Sequence, residues 1–190
     1  MQNQHSLART AGAFSLAVLM LLLLGVATAV HAAPDPIASK PLTQRHVFVG
    51  DVSIQITQEL EGLPAQTVNI DDGSHVAVME FTIQPGAVFP WHTHPGTVLI
   101  NITEGDFVFL FAEDCMEREY GPGMALVDPG NTVHTSFNPS RDEPTVVIAT
   151  FLGVPEEGPL MSPVEEGQGA DLDARCGIER GPDGNMLSGY

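Results

Sequence analysis

Basic residues are scarce in this chain. Its 190 residues include 7 Lys+Arg against 24 Asp+Glu, for a formal charge of −17. Binding to a phosphate backbone or an anionic membrane surface needs clustered Lys and Arg, so nucleic acid and membrane headgroups are excluded as partners. An acidic balance instead favours solubility and attraction of cations. Helical periodicity is almost missing as well, and no internal repeat is visible. There is no Walker loop, dinucleotide fingerprint, CxxC pair or Ser-His-Asp arrangement. Long apolar runs are limited to one, Ala11 to Ala29, with Leu21, Leu22, Leu23 and Leu24 at its centre.

That run follows Arg9 and ends in small residues, Ala27-Thr28-Ala29 and Val30-His31-Ala32. A positive flank, an apolar core and a small-residue exit read as a secretory signal peptide over residues 1–33, with the mature start between Val30 and Pro34. The competing reading is a retained membrane anchor, since the run approaches the length of a membrane span. Cleavage removes Arg9 alone among the charged side chains, so the mature charge becomes −18. The expected location is secreted or periplasmic, with no membrane contact after cleavage.

Cysteines number two, Cys115 and Cys176. In an exported protein an even count predicts a disulfide, which would tie the end of the chain to its middle. Two free thiols are the alternative.

The remainder reads as all-β. Val47 to Val49 and Val52 to Thr57 are strand-like. Val76 to Ile83, Thr97 to Ile102, Thr132 to Phe137 and Thr145 to Val154 are short and rich in β-branched residues. Phe107, Phe109 and Phe111 alternate with Val108 and Leu110, the pattern of a strand buried on both faces. Turn pairs separate these runs: Asp72-Gly73, Pro85-Gly86, Pro95-Gly96, Pro122-Gly123 and Pro129-Gly130. Many short strands with frequent turns predict a jelly roll or sandwich over residues 46–154. Residues 34–45, with three prolines, read as a linker. Residues 155–190 are acidic and rich in Gly and Pro. They read as an irregular tail with at most one helical turn, Asp171 to Arg175, and Asp183-Gly184-Asn185 reads as a turn.

Chemistry concentrates at three histidines. His92 and His94 are two apart, so on a strand both imidazoles leave one face. His134 follows the turn Pro129-Gly130 in a second β-like run. Three imidazoles converging from two strands make a site for a divalent transition metal, with iron, zinc, manganese and nickel all compatible. Glu80 is the candidate for an added carboxylate ligand. Trp91, Phe89, Phe81, Phe137 and Met79 are candidates for an apolar pocket wall, Tyr120 for a donor at the pocket rim, and Asn138 for a group ordering the strand end.

These two segments resemble the motifs of the cupin superfamily. Gly86, His92, His94 and Gly105 fall in register with the first motif, and Gly123, Pro129, His134 and Asn138 with the second. Val98 stands where the first motif carries Glu, Asn131 replaces a glycine of the second, and Gly130 lies one place early. The resemblance implies a cupin-type jelly-roll β-barrel and a small-molecule ligand or substrate. Some cupins that lack this Glu are three-histidine iron dioxygenases, so it also implies that dioxygenase-like chemistry is available. Without that carboxylate the metal would keep its full charge and an extra open position at Val98. A non-catalytic module that captures a small ligand or a metal is the alternative, and a homodimer is a candidate assembly.

Overall fold

The computed structural model describes residues 35–187. The expected signal peptide lies outside them. In chain order the elements are β1 (Ile37–Pro41), β2 (His46–Val47), β3 (Ile54–Gln58), β4 (Gln66–Ile70), β5 (His75–Ile83), β6 (His92–Thr93) and β7 (Thr97–Glu104), followed by β8 (Phe107–Phe111), β9 (Arg118–Tyr120), β10 (Ala125–Asp128), β11 (His134–Phe137), β12 (Thr145–Leu152), β13 (Ser162–Pro163) and α1 (Glu166–Cys176).

The strands form two antiparallel sheets and a separate hairpin. One sheet runs β1-β5-β12-β7-β10, with β2 also pairing β5; the other runs β13-β6-β11-β8-β9; β3 pairs β4. The two sheets are not closed into a barrel, which corrects the jelly-roll barrel expected from the sequence: among the described residues no ladder joins one sheet to the other. Their facing sides meet in one core. β12 buries alternate residues, Val147, Ala149 and Phe151, against Phe107, Phe109 and Phe111 of β8, as the period of two in an extended chain requires.

β8 is buried at all five positions, as its sequence predicts. Its second face, Val108 and Leu110, packs in another cluster with Trp91, Leu172 and Ile178. Leu172 and Ile178 belong to the segment expected to be an irregular tail. That segment instead makes an 11-residue helix, β13 and a docked loop. The helix ends at Gly177, whose φ of 74° is the left-handed C-cap that glycine adopts without strain. Polar composition concealed this because only a few tail side chains reach the core. They are held by a Cys115–Cys176 disulfide with a Cα–Cα distance of 5.0 Å. Hydrogen bonds reinforce it: Trp91 Nε1 donates to Asp173 Oδ1 at 2.8 Å, and Arg180 Nε donates to Asp173 Oδ2 at 2.8 Å. Arg175 donates to the carbonyl of Ala112.

The expected linker also contributes a strand. β1 pairs with β5 from Ile37 opposite Ile83 to Pro41 opposite Met79. Pro41 fits because β1 is an edge strand, where a missing N–H costs least.

Candidate metal centre

Each imidazole arrives by a different local device. His92 on β6 and His134 on β11 are direct cross-strand partners in an antiparallel ladder, so their side chains stand side by side on one face. His94 follows β6 on the same face, and its backbone N–H donates to Gly130 O at 3.3 Å. That contact joins the two turns preceding β7 and β11. Gly130 has φ +103°, and a Cβ there would lie 2.7 Å from Gly96 O. Glycine is therefore needed at 130 rather than 131, which explains its early place in the sequence.

The three rings are buried, at 3 %, 7 % and 1 % exposure for His92, His94 and His134. Their donor nitrogens all lie within 4.8 Å of one another, and the His92 and His94 Nε2 atoms are 3.2 Å apart. Each Nδ1 faces a backbone carbonyl: His92 to Pro90 at 2.6 Å, His94 to Leu160 at 2.6 Å, and His134 to Thr132 at 2.9 Å. A carbonyl only accepts, so each Nδ1 carries the ring hydrogen and each Nε2 presents a lone pair. Three lone-pair nitrogens this close together are a ligand set that could hold a cation. Aromatic neighbours hold the rings in place. Phe109 stacks on His134 at 4.9 Å between centroids, and Phe151 meets His94 edge-on at 5.3 Å.

One carboxylate joins them, and it is not Glu80. Asp128, the last residue of β10, has zero exposure. Its Oδ2 lies 3.4 Å from His94 Nε2 and 3.3 Å from His134 Nε2. Its Oδ1 accepts a hydrogen bond from Gly130 N at 2.9 Å, while Oδ2 is buried with no hydrogen-bond partner. Burial raises the Asp128 pKa to about 8 and lowers that of His92 to about 4, with His94 adding repulsion at His92. Burial likewise lowers His94 and takes His134 well below its ordinary value, with repulsion from His92 next in size. Without a cation the low-dielectric surroundings thus favour neutral groups throughout, and the short His–Asp contacts are not ion pairs. A divalent ion would reverse the balance at Asp128.

A cavity of about 470 Å³ opens beside the histidines. Its wall is largely apolar, including Met79, Phe81, Phe89, Val98, Ile100, Phe107, Phe109 and Phe151, with Ser39 and Ser136 adding hydroxyls. Pro159, Leu160 and Met161 of the C-terminal segment complete it.

Val98, Met79, Phe81 and Phe89 thus lie on the cavity wall, but Glu80, Trp91, Phe137, Tyr120 and Asn138 do not. Glu80 pairs with Lys40 at 3.5 Å, on the face of β5 opposite Met79 and Phe81. Trp91 turns away from its neighbour His92 to bind Asp173. Phe137 packs in Trp91's cluster rather than on the cavity. Tyr120 lines a separate surface cleft with Glu119 and Arg141. Asn138 is fully buried and donates to the carbonyls of Ile83 and Glu143 at 3.0 and 2.8 Å, so its amide orders the strand end. Sequence reasoning missed Asp128 and Leu160. Asp128 sits directly before the motif proline, but only the pairing of β10 with β7 reveals where it points.

Among known proteins, the cupin domain family profile matches residues 79–151. No curated protein matches the sequence. Similar solved structures include the polyketide cyclase RemF from Streptomyces resistomycificus, at 18% identity over 57% of this chain and 70% of that one, with a TM-score of 0.43. A cupin-like protein from Thermotoga maritima is 24% identical over 52% and 71%, with a TM-score of 0.43. The DMSP lyase DddQ from Ruegeria pomeroyi is 23% identical over 48% and 46%, with a TM-score of 0.41. The profile covers β5 to β12 almost entirely, and within it lie both histidine segments and the turn glycines that bring them together; residues 79–151 belong to the cupin superfamily.

Proposed function

We propose that this is an exported, metal-dependent cupin whose three-histidine centre acts on a small, largely apolar molecule bearing one metal-directed donor atom. The observation that carries this reading is the convergence of three lone-pair nitrogens, each fixed by its own carbonyl, at the wall of an apolar cavity. His92, His94 and His134 would hold the ion. A bound divalent metal would supply Lewis acidity and, as iron, redox chemistry of the dioxygenase-like kind. The chain's own contribution is to orient the imidazoles, to exclude water with Phe81, Phe89 and Phe151, and to leave Val98 beside the metal where a blocking carboxylate is absent. Export is supported by the disulfide, which persists in oxidising compartments.

One observation favours a second reading, a binding module without turnover. Beyond the histidines, the hydroxyls of Ser39 and Ser136 are the polar side-chain groups on the cavity wall, and neither is an evident general acid or base. The test uses tag-free protein loaded with ferrous iron. Azide and an apolar diketone are titrated by visible absorbance, and oxygen uptake is followed with the diketone present. Saturable binding that disappears in His134→Ala supports the metal site in both readings. Oxygen uptake selects the enzyme, and binding without uptake selects the module. Failure of the wild type to retain any metal would defeat both.

A further inference from the structure

We propose that Asp128 is a fourth protein ligand of the metal, supplied from β10 in place of the carboxylate that Val98 does not provide on β7. The inference rests on the three-histidine reading and deepens it.

Three observations carry it. The first is an unsatisfied group: Asp128 Oδ2 is wholly buried and without a hydrogen-bond partner, although two imidazole nitrogens stand 3.3 and 3.4 Å away. Those nitrogens have no hydrogen to offer, because each ring hydrogen is committed at Nδ1 to Leu160 O or Thr132 O. With the carboxyl ionised, lone pairs face lone pairs, an arrangement that a cation between them makes favourable. The second is spacing. Donor atoms on neighbouring positions around a metal with bonds of about 2.1 Å lie roughly 3.0–3.4 Å apart. The contacts at Asp128 and the 3.2 Å between His92 and His94 Nε2 fall in or at the edge of that range. The third is register. Asp128 and Val98 are direct partners in the antiparallel pairing of β10 and β7, so their side chains leave the same face. The carboxylate has moved one strand sideways. Val98 remains on the cavity wall, so the charge is delivered to the ion while the cavity side stays open to a ligand. Three imidazoles and one carboxylate suit iron, manganese or zinc, and their net charge with a dication is +1 rather than +2.

The competing account is structural: Oδ1 accepts from Gly130 N, and turn formation alone would explain an Asp here. Asp128→Asn separates the two, since it keeps the volume and the turn acceptor and removes the charge. Zinc affinity is measured by competition with a chromophoric chelator, and coordination is followed through the visible spectrum of the cobalt-substituted full-length protein. The expected result is at least a tenfold loss of zinc affinity and an altered cobalt spectrum, with the melting temperature of the metal-free protein unchanged or higher. Asp128→Ser, which retains a turn-forming oxygen, should behave alike. Adding Val98→Glu to Asp128→Asn should recover part of the lost affinity. Wild-type zinc affinity and an unchanged cobalt spectrum in both single variants would overturn the inference. His134→Ala tests the three-histidine reading by itself. If that variant loses metal while Asp128→Asn does not, only the role of Asp128 falls.

Discussion

The two faces of β8 are built to opposite specifications. On the inner side, Phe107 and Phe109 border a cavity, and Phe109 supports His134. On the outer side, Val108 and Leu110 are sealed by Trp91, Leu172 and Ile178. A hollow core forgoes the contacts that would fill it. The outer face is solid, hydrogen-bonded at Asp173 and closed covalently at Cys115–Cys176. The comparison teaches that the C-terminal segment acts as a second core layer, offsetting a core that holds a cavity. It reaches the site as well, because Leu160 O fixes His94 and β13 pairs with β6.

The largest effect that would test this contrast is loss of the disulfide. Its cysteines are 61 positions apart, and in the chain-entropy account a loop of that size contributes about 4 kcal/mol. The double change of Cys115 and Cys176 to Ser should lower stability by that order in chemical denaturation. It should also weaken metal binding, since the acceptor for His94 is then less firmly held. A stability loss with metal affinity untouched would show that the two faces are not coupled. Next in size is a pair of core truncations. Leu110→Ala, in the solid layer, should cost about 3 kcal/mol, and Ile100→Ala, on the cavity wall, about 2 kcal/mol, because part of the surroundings of Ile100 is already empty. Equal costs would contradict the hollow-versus-solid distinction. Asp173→Asn should cost about 1 to 2 kcal/mol by weakening its bonds with Trp91 and Arg180, with metal affinity changed little.

The smallest effect is a pH dependence confined to the inner face of the metal-free protein. Histidines with lowered values bind fewer protons folded than unfolded, so they destabilise the fold as pH falls below their ordinary 6.5 toward about 4 for His92. Asp128 is raised from 3.8 to about 8, so its folded form holds a proton that the unfolded chain has lost. It therefore loses its stabilising contribution as pH rises toward 8. The contributions of these four groups together place maximal stability near pH 6.5. Melting temperatures of metal-free wild type across pH 5 to 8.5 check this, and Asp128→Asn should remove the decline on the alkaline side.

The sequence made the histidines legible because the spacing of His92 and His94 fixes their common face, and the two motif segments link them to His134. β8 was legible for the same reason, as alternating apolar residues announce a doubly buried strand. Parity was the unused signal at Glu80 and Trp91, both named as site candidates: once Met79, Phe81 and His92 face the cavity, their chain neighbours face away. Asp128 was hidden because its direction depends on which strand β10 pairs with, a tertiary fact. The C-terminal layer was hidden because a helix needs few apolar residues when a disulfide and buried hydrogen bonds anchor it. In α1 only Leu172 is buried.

The most direct measurement is a crystal structure of the zinc-loaded protein with anomalous data collected across the zinc edge. The account predicts one peak per chain, about 2.1 Å from the Nε2 atoms of His92, His94 and His134, with Asp128 Oδ2 in the same sphere. A peak elsewhere, or none at these histidines in protein shown to be fully loaded, would contradict it.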